Sequence, residues 1–231
     1  MPKNTLMAIY DKMYAAFGPQ YWWPAEDDFE VMVGAILTQS VSWKNVETAI
    51  SNLKTENLLS VKAILSVEND KLAGLIKSTM YFNQKAIKLK NLCEHIQLNY
   101  NGNIYGLLEK DIYQMRKELL SIKGIGPETA DSIILYAARK PIFVVDAYTR
   151  RIFTRMGLLP DGVKYQEMQD FFMQNLPLGV KLFNEYHALI VRLGKDFCKK
   201  KKPLCTKCPI TAHCTEIHNE FDSRKMQEDS V

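Results

Sequence analysis

Four cysteines, Cys198, Cys205, Cys208 and Cys214, stand in "CKKKKPLCTKCPITAHC" with the spacing C-x6-C-x2-C-x5-C. Any fold of this chain has to accommodate four thiols at one place. Only one other cysteine, Cys93, occurs among the 231 residues, and so dense a set at the end of a chain points to metal ligation rather than to disulfides. Zinc is more usually held by two separated C-x-x-C knuckles, whereas one asymmetric loop suits an iron–sulfur cluster on four thiolates. Cys93, inside "KLKNLCEHI", reads as a small buried hydrophobe. Lys199, Lys200, Lys201 and Lys202 separate the first two thiols and Lys207 follows. A lysine run is ordinarily solvated surface, but held in shape by a metal loop it becomes a rigid cationic surface for phosphates.

Upstream, the apolar residues recur at helical spacing. Phe29, Met32, Ile36 and Leu37 share one face, as do Val46, Ala49, Ile50 and Leu53, and the pattern returns through 82–99, 127–139, 147–157 and 179–195. No convincing alternation marks a strand. Short connectors carry turn residues: "FGPQ", "NYNGN", "GLLPDG" and "NLPLG". The expected fold class is all-α. With 47% hydrophobic and 24% charged residues the chain can bury a full core. No run approaches the roughly 20 apolar residues of a spanning helix, so a cytoplasmic protein with no membrane partner is expected. A net charge of +4 permits a polyanionic partner without requiring one. The segment "NEFDSRKMQEDSV", residues 219–231, is polar and aperiodic and reads as a disordered tail.

In "SIKGIGPETADSI", Gly124 and Gly126 flank Ile125 and Pro127 opens a helix. Glycines permit backbone angles that aim successive N–H groups outward, so this turn can hold a phosphate; it can equally be a tight interhelical connection. Farther on, "VVDAYTRRIF" places Asp146 after an apolar run and before a helix. Asp146 can cap that helix, and a carboxylate held ionised by helix N–H donors can also face a developing cation. The two roles are compatible.

The Gly124-Ile125-Gly126 hairpin, Asp146 after its apolar stretch, the four-cysteine spacing, "GAILTQS" at 34–40 and "YFNQKA" at 81–86 together resemble the endonuclease III branch of the helix–hairpin–helix (HhH-GPD) DNA glycosylases. The likeness covers about residues 20–215. It implies a six-helix barrel with the hairpin at 20–140, and a discontinuous second domain, 1–19 plus 141–218, carrying a [4Fe-4S] cluster on Cys198, Cys205, Cys208 and Cys214. It also implies a monomer that binds damaged double-stranded DNA in the cleft between the domains and is nucleoid-associated through that DNA. Gly124, Gly126 and Lys199 to Lys202 would grip the backbone near a flipped-out base. By the same resemblance Gln39 fills the gap left by that base, and carbonyls such as those of Leu120, Ile122 and Ile125 hold a monovalent cation.

Bifunctional members carry a lysine four residues after the first hairpin glycine, which forms a Schiff base with the sugar. Here that position is Glu128. The resemblance then implies a monofunctional glycosylase, with Asp146 stabilising an oxocarbenium-like sugar and orienting water. Trp22, Trp23, Pro24 and Trp43 can pack in the core or sandwich a flipped base, best a cationic one. "WWP" before "FEVMVGAILTQ", with Glu128 and "VVDAY", is similar to 3-methyladenine glycosylases of the endonuclease III type, although those replace the four-cysteine cluster. An alkylated purine such as 3-methyladenine is the expected substrate. The alternatives are a uracil or thymine-mismatch glycosylase, an endonuclease III-like enzyme with lyase activity, and a non-catalytic damaged-DNA binder.

Overall fold

The computed structural model describes residues Pro2 to Cys214. The segment 219–231, read above as a tail, and residues 215–218 of the expected second domain lie outside the described residues. Among the described residues there is no strand, and the all-α expectation holds. The helices are α1 (Pro2–Phe17), α2 (Asp28–Leu37), α3 (Trp43–Thr55), α4 (Val61–Ser66), α5 (Asn69–Leu75), α6 (Phe82–Tyr100), α7 (Tyr105–Leu108), α8 (Ile112–Ser121), α9 (Pro127–Ser132), α10 (Ala147–Arg155), α11 (Tyr165–Asn175) and α12 (Val180–Asp196). Among the described residues no helix is long and apolar enough to cross a membrane. The chain forms two compact units, Trp23–Ile142 and the segment up to Trp22 combined with the chain from Phe143 onward.

In the Trp23–Ile142 unit, α2 is the hub. Every residue from Asp28 to Leu37 is buried, not only the face marked by Phe29, Met32, Ile36 and Leu37, because α3, α6, α9 and the segment Ile133–Ala137 all pack on it. A helix buried all round must neutralise its own charges. Asp28 takes Arg139 at 2.8 Å, Glu30 takes Lys54 at 2.9 Å, and Asp27 caps the helix by accepting the Glu30 N–H at 2.8 Å. The long α6 turns Leu89, Leu92, Cys93 and Ile96 inward and packs on α4 and α5. Cys93 is fully buried and its thiol is pushed up to about 12 by that burial, which makes it an inert core residue.

The helices flanking the hairpin are tied by an ion pair. Arg116 on α8 donates to the fully buried Asp131 on α9 through Nε at 2.7 Å and Nη2 at 3.2 Å, a forked geometry that fixes the crossing of the two helices. The single helix expected over 127–139 is instead α9 followed by a π-helical turn at Ile133–Ala137. A π-turn widens the helix and redirects its side chains; here it contains Tyr136, which packs beside Trp23.

The other unit packs α1, α10, α11 and α12 around aromatic rings. Phe143 stacks on Phe172 at 4.2 Å and meets Phe183 edge-on at 5.4 Å, while Phe153 meets Phe172 edge-on at 4.8 Å. Leu6, Ile9 and Met13 of α1 are fully buried, and the buried Tyr186 hydroxyl donates to the Leu6 carbonyl at 2.8 Å. The extended run Phe143, Val144 and Val145 is itself buried, and Gln169 donates to the Phe143 carbonyl at 2.8 Å, which satisfies that carbonyl without a strand ladder. This run delivers the chain to Asp146. Helices α10 and α12 approach closely because Gly194 has no side chain: a Cβ there would lie 2.3 Å from the Tyr148 ring.

Candidate functional site

Asp146 is the N-cap of α10. Its Oδ1 accepts both the Thr149 N–H at 2.7 Å and the Thr149 hydroxyl at 2.8 Å, and its Oδ2 lies 3.7 Å from Nε2 of His187, a buried residue of α12. Burial pushes the carboxyl up, but His187 and the two Thr149 donors outweigh it, so the group sits below the usual carboxylate range. Asp146 is thus an anion at neutral pH with one oxygen immobilised by the cap. His187 was not foreseen; a lone histidine on a distant apolar helix gives no signal in sequence.

In the Trp23–Ile142 unit two groups form. The first is aromatic: Trp23 meets Trp43 edge-on at 5.3 Å and Tyr136 at a tilt at 5.2 Å. Gly34 makes room for it, since a Cβ there would meet the Trp23 ring at 2.9 Å. Trp43 Nε1 donates to Glu47 at 2.8 Å. Both tryptophans are only half-buried, so part of this aromatic surface faces outward. Pro24 is exposed, and Trp22 belongs to the other unit. Tyr136 was missed because "IILYA" reads as plain core.

The second group surrounds the hairpin. Gly124 has φ of +99°, a conformation that favours glycine, and a Cβ there would lie 2.4 Å from Cγ of Lys88. Gln39 reaches this turn from the end of α2: its amide donates to the Thr129 hydroxyl at 2.8 Å and its carbonyl accepts from Lys88 Nζ at 2.5 Å. Asn91 donates to the Lys123 carbonyl at 2.8 Å, a second support from α6. The Ile122 carbonyl accepts the Ile125 N–H at 3.1 Å, closing the turn. Glu128, in the first turn of α9, is exposed. Gln39, Gly124 and Thr129 are therefore one connected group, in which Lys88 and Thr129 were not foreseen.

The four thiols of Cys198, Cys205, Cys208 and Cys214 line one cavity, with Ile152, Met156, Leu193, Phe197 and Ile210 among its apolar walls. Arginines of α10 fix its rim: Arg151 donates to the Cys198 and Gly194 carbonyls at 2.8 and 2.9 Å, and Arg155 to the Lys199 and Lys200 carbonyls at 2.8 and 3.2 Å. Thr211 donates to the Cys205 and Cys208 carbonyls. Burial raises the Cys208 thiol, the Ile210 N–H lowers it, and the other three cysteines raise it again. Thiols gathered at one cavity ionise most readily when a cation is shared among them. Among the described residues no three or more His, Cys, Asp and Glu side chains are grouped so as to hold a metal ion, although the four thiols, an all-sulfur donor set suited to soft metals, line one cavity. Lys199 to Lys202 are exposed on this loop.

Residues 33–178 match the model of the HhH-GPD superfamily of base excision DNA repair proteins. The chain belongs to this superfamily. This glycosylase is 51% identical over 212 residues to a protein of Methanocaldococcus jannaschii provisionally named a DNA repair glycosylase, spanning 91% of this chain and 96% of the relative. It is 31% identical over 188 residues to endonuclease III of Sulfolobus acidocaldarius, covering 80% and 81% of the two chains. Among solved structures, the H. pylori 3-methyladenine DNA glycosylase bound to 1,N6-ethenoadenine matches with a TM-score of 0.72 and 28% identity, covering 84% of this chain and 97% of that one. An endonuclease III–DNA complex shares the fold at a TM-score of 0.82 and 22% identity, covering 95% and 98%.

Proposed function

We propose that this DNA glycosylase is monofunctional: it hydrolyses the N-glycosidic bond of a damaged base flipped out of duplex DNA, most favourably an alkylated purine such as 3-methyladenine. The observation that carries the reading is Asp146, an ionised carboxylate pinned by Thr149 and faced by His187. A fixed anion beside the sugar stabilises positive charge developing at the anomeric carbon without reorganising when it forms. The sugar cation is then quenched by water, which Asp146 orients or deprotonates, leaving an abasic site. Glu128 offers no amine for covalent attachment.

The substrate assignment rests on Trp23, Trp43 and Tyr136. Aromatic faces hold any flipped base by stacking, and a cationic base gains further attraction from the ring quadrupole. A structural relative at 28% identity that acts on 3-methyladenine supports the same class. Duplexes carrying a single 3-methyladenine, ethenoadenine, uracil or guanine-paired thymine, assayed for free base, test the reading. Release of the alkylated adenines is expected. Release of uracil or thymine alone would assign the enzyme to deaminated bases, and tight binding without release would make it a binder.

In this reading Gly124, Gly126 and Lys199 to Lys202 contact the backbone, with Gln39 filling the vacated stack. Phosphate contacts position the protein without reading sequence. Replacing the four lysines by alanine should weaken binding to every duplex alike and flatten its salt dependence; a changed base preference at unchanged affinity would contradict it. Cys198, Cys205, Cys208 and Cys214 would hold a [4Fe-4S] cluster, which would tie the loop from Cys198 to Cys214 together. Protein prepared without oxygen should be yellow-brown, absorb near 400 nm by the general optics of thiolate-bound iron, and contain iron. Stoichiometric zinc without iron would exclude the cluster.

A further inference from the structure

Lys88 sits against the hairpin in a way its sequence context does not announce. Its aliphatic stem occupies the space that a side chain at Gly124 would need, with Cγ only 2.4 Å from the Cβ position. Its ammonium donates to Oε1 of Gln39 at 2.5 Å. One turn earlier on α6, Lys85 is buried and donates to the carbonyls of Leu37, the last residue of α2, and of Thr79. Lys85 thus anchors the helix end from which Gln39 projects, while Lys88 holds the Gln39 side chain itself. Lys85 is a second cation close to Lys88, and the acceptor bonded to Lys88 is a neutral amide oxygen.

An ammonium so placed is only weakly matched. A phosphate oxygen is a charged acceptor and forms a bond roughly twice as strong as a neutral one, and it offsets the repulsion between the two lysines. We propose that Lys88 is a DNA-phosphate ligand of the hairpin that latches Gln39 in the free protein, so that contact with the backbone and release of Gln39 are a single exchange. When a phosphate reaches the turn, Lys88 leaves the Gln39 carbonyl and takes the phosphate. Gln39, then held only through its amide, by the Thr129 hydroxyl at 2.8 Å and the Gly124 carbonyl at 3.5 Å, is released at its carbonyl and can enter the helix. Lys88 is a positioning residue in this scheme, and the scheme rests on the reading that the hairpin meets DNA.

The test uses the full-length protein and a duplex containing a tetrahydrofuran abasic analogue, which needs no excision. Lys88→Met keeps the stem over Gly124 and removes the charge; Lys88→Arg keeps the charge. Lost contact to one phosphate should reduce the salt slope by about 0.9 in Lys88→Met, so that its affinity falls roughly threefold less than wild type between 50 and 200 mM salt. Lys88→Arg should retain the wild-type slope. The latch itself is read from a double-mutant cycle. Lys88→Met should cost more affinity in a Gln39→Ala background than in wild type, because there Lys88 gives up no bond to reach the phosphate. An unchanged slope in Lys88→Met overturns the phosphate contact, and equal costs in the two backgrounds overturn the latch. Wild-type protein that fails to bind this duplex would instead overturn the underlying reading of the hairpin.

Discussion

Asp146→Asn should lower single-turnover base release by on the order of 100- to 1000-fold, the usual cost of removing a preorganised electrostatic stabiliser. The fold should survive. Asparagine caps helices about as well as aspartate, and its Oδ1 can accept the same Thr149 N–H and hydroxyl that Asp146 accepts. DNA affinity should hold or rise, since an anion near the phosphates is gone. Because the folded carboxyl lies below its ordinary range, its contribution to stability is present above the unfolded pKa and lost as pH falls through the folded one. The acid limb of activity due to Asp146 should accordingly lie below the usual carboxylate range. If the residue were only a cap, the variant would excise normally and lose about 1 kcal/mol of stability.

The second large effect is a gain. Glu128→Lys puts an amine where the resemblance to bifunctional glycosylases places one, in the first turn after the hairpin and at an exposed position. After base loss the amine would condense with the sugar aldehyde, expelling water to give an imine, which borohydride reduces to a stable amine link. Wild-type protein should be trapped little or not at all, and the variant should give a protein–DNA adduct. Equal, efficient trapping of both would mean that another amine already does this work. No adduct from a variant that still releases base would mean that position 128 does not reach the sugar.

What sequence disclosed and what it concealed follow from the range of the interactions involved. Helical spacing is local, so the all-α class was readable from residues such as Val46, Ala49, Ile50 and Leu53, all of them buried. That α2 is buried on every side was not readable, because Asp28 and Glu30 look like surface residues until Arg139 and Lys54 are brought to them by the fold. The π-turn at Ile133–Ala137 has the same apolar composition as a regular helix, and packing decides between them. Asp146 as a cap is a local pattern and was legible; His187 beside it depends on how α12 crosses α10. Cysteine spacing predicted one shared thiol site, but not the two arginines of α10 that hold its rim. Nothing around Lys88 in the sequence marks it out, since its contact is with a glycine far along the chain.

Hydrolytic base loss that leaves the strand whole is the proposal on which the assigned function rests. It is tested by incubating wild-type protein in excess with an end-labelled duplex carrying the preferred damaged base, then running half of each sample directly and half after alkali. The reading predicts free base appearing with time, an intact strand in the untreated half, and scission in the alkali-treated half in proportion to the base released. Scission without alkali at the same rate as base release would contradict it.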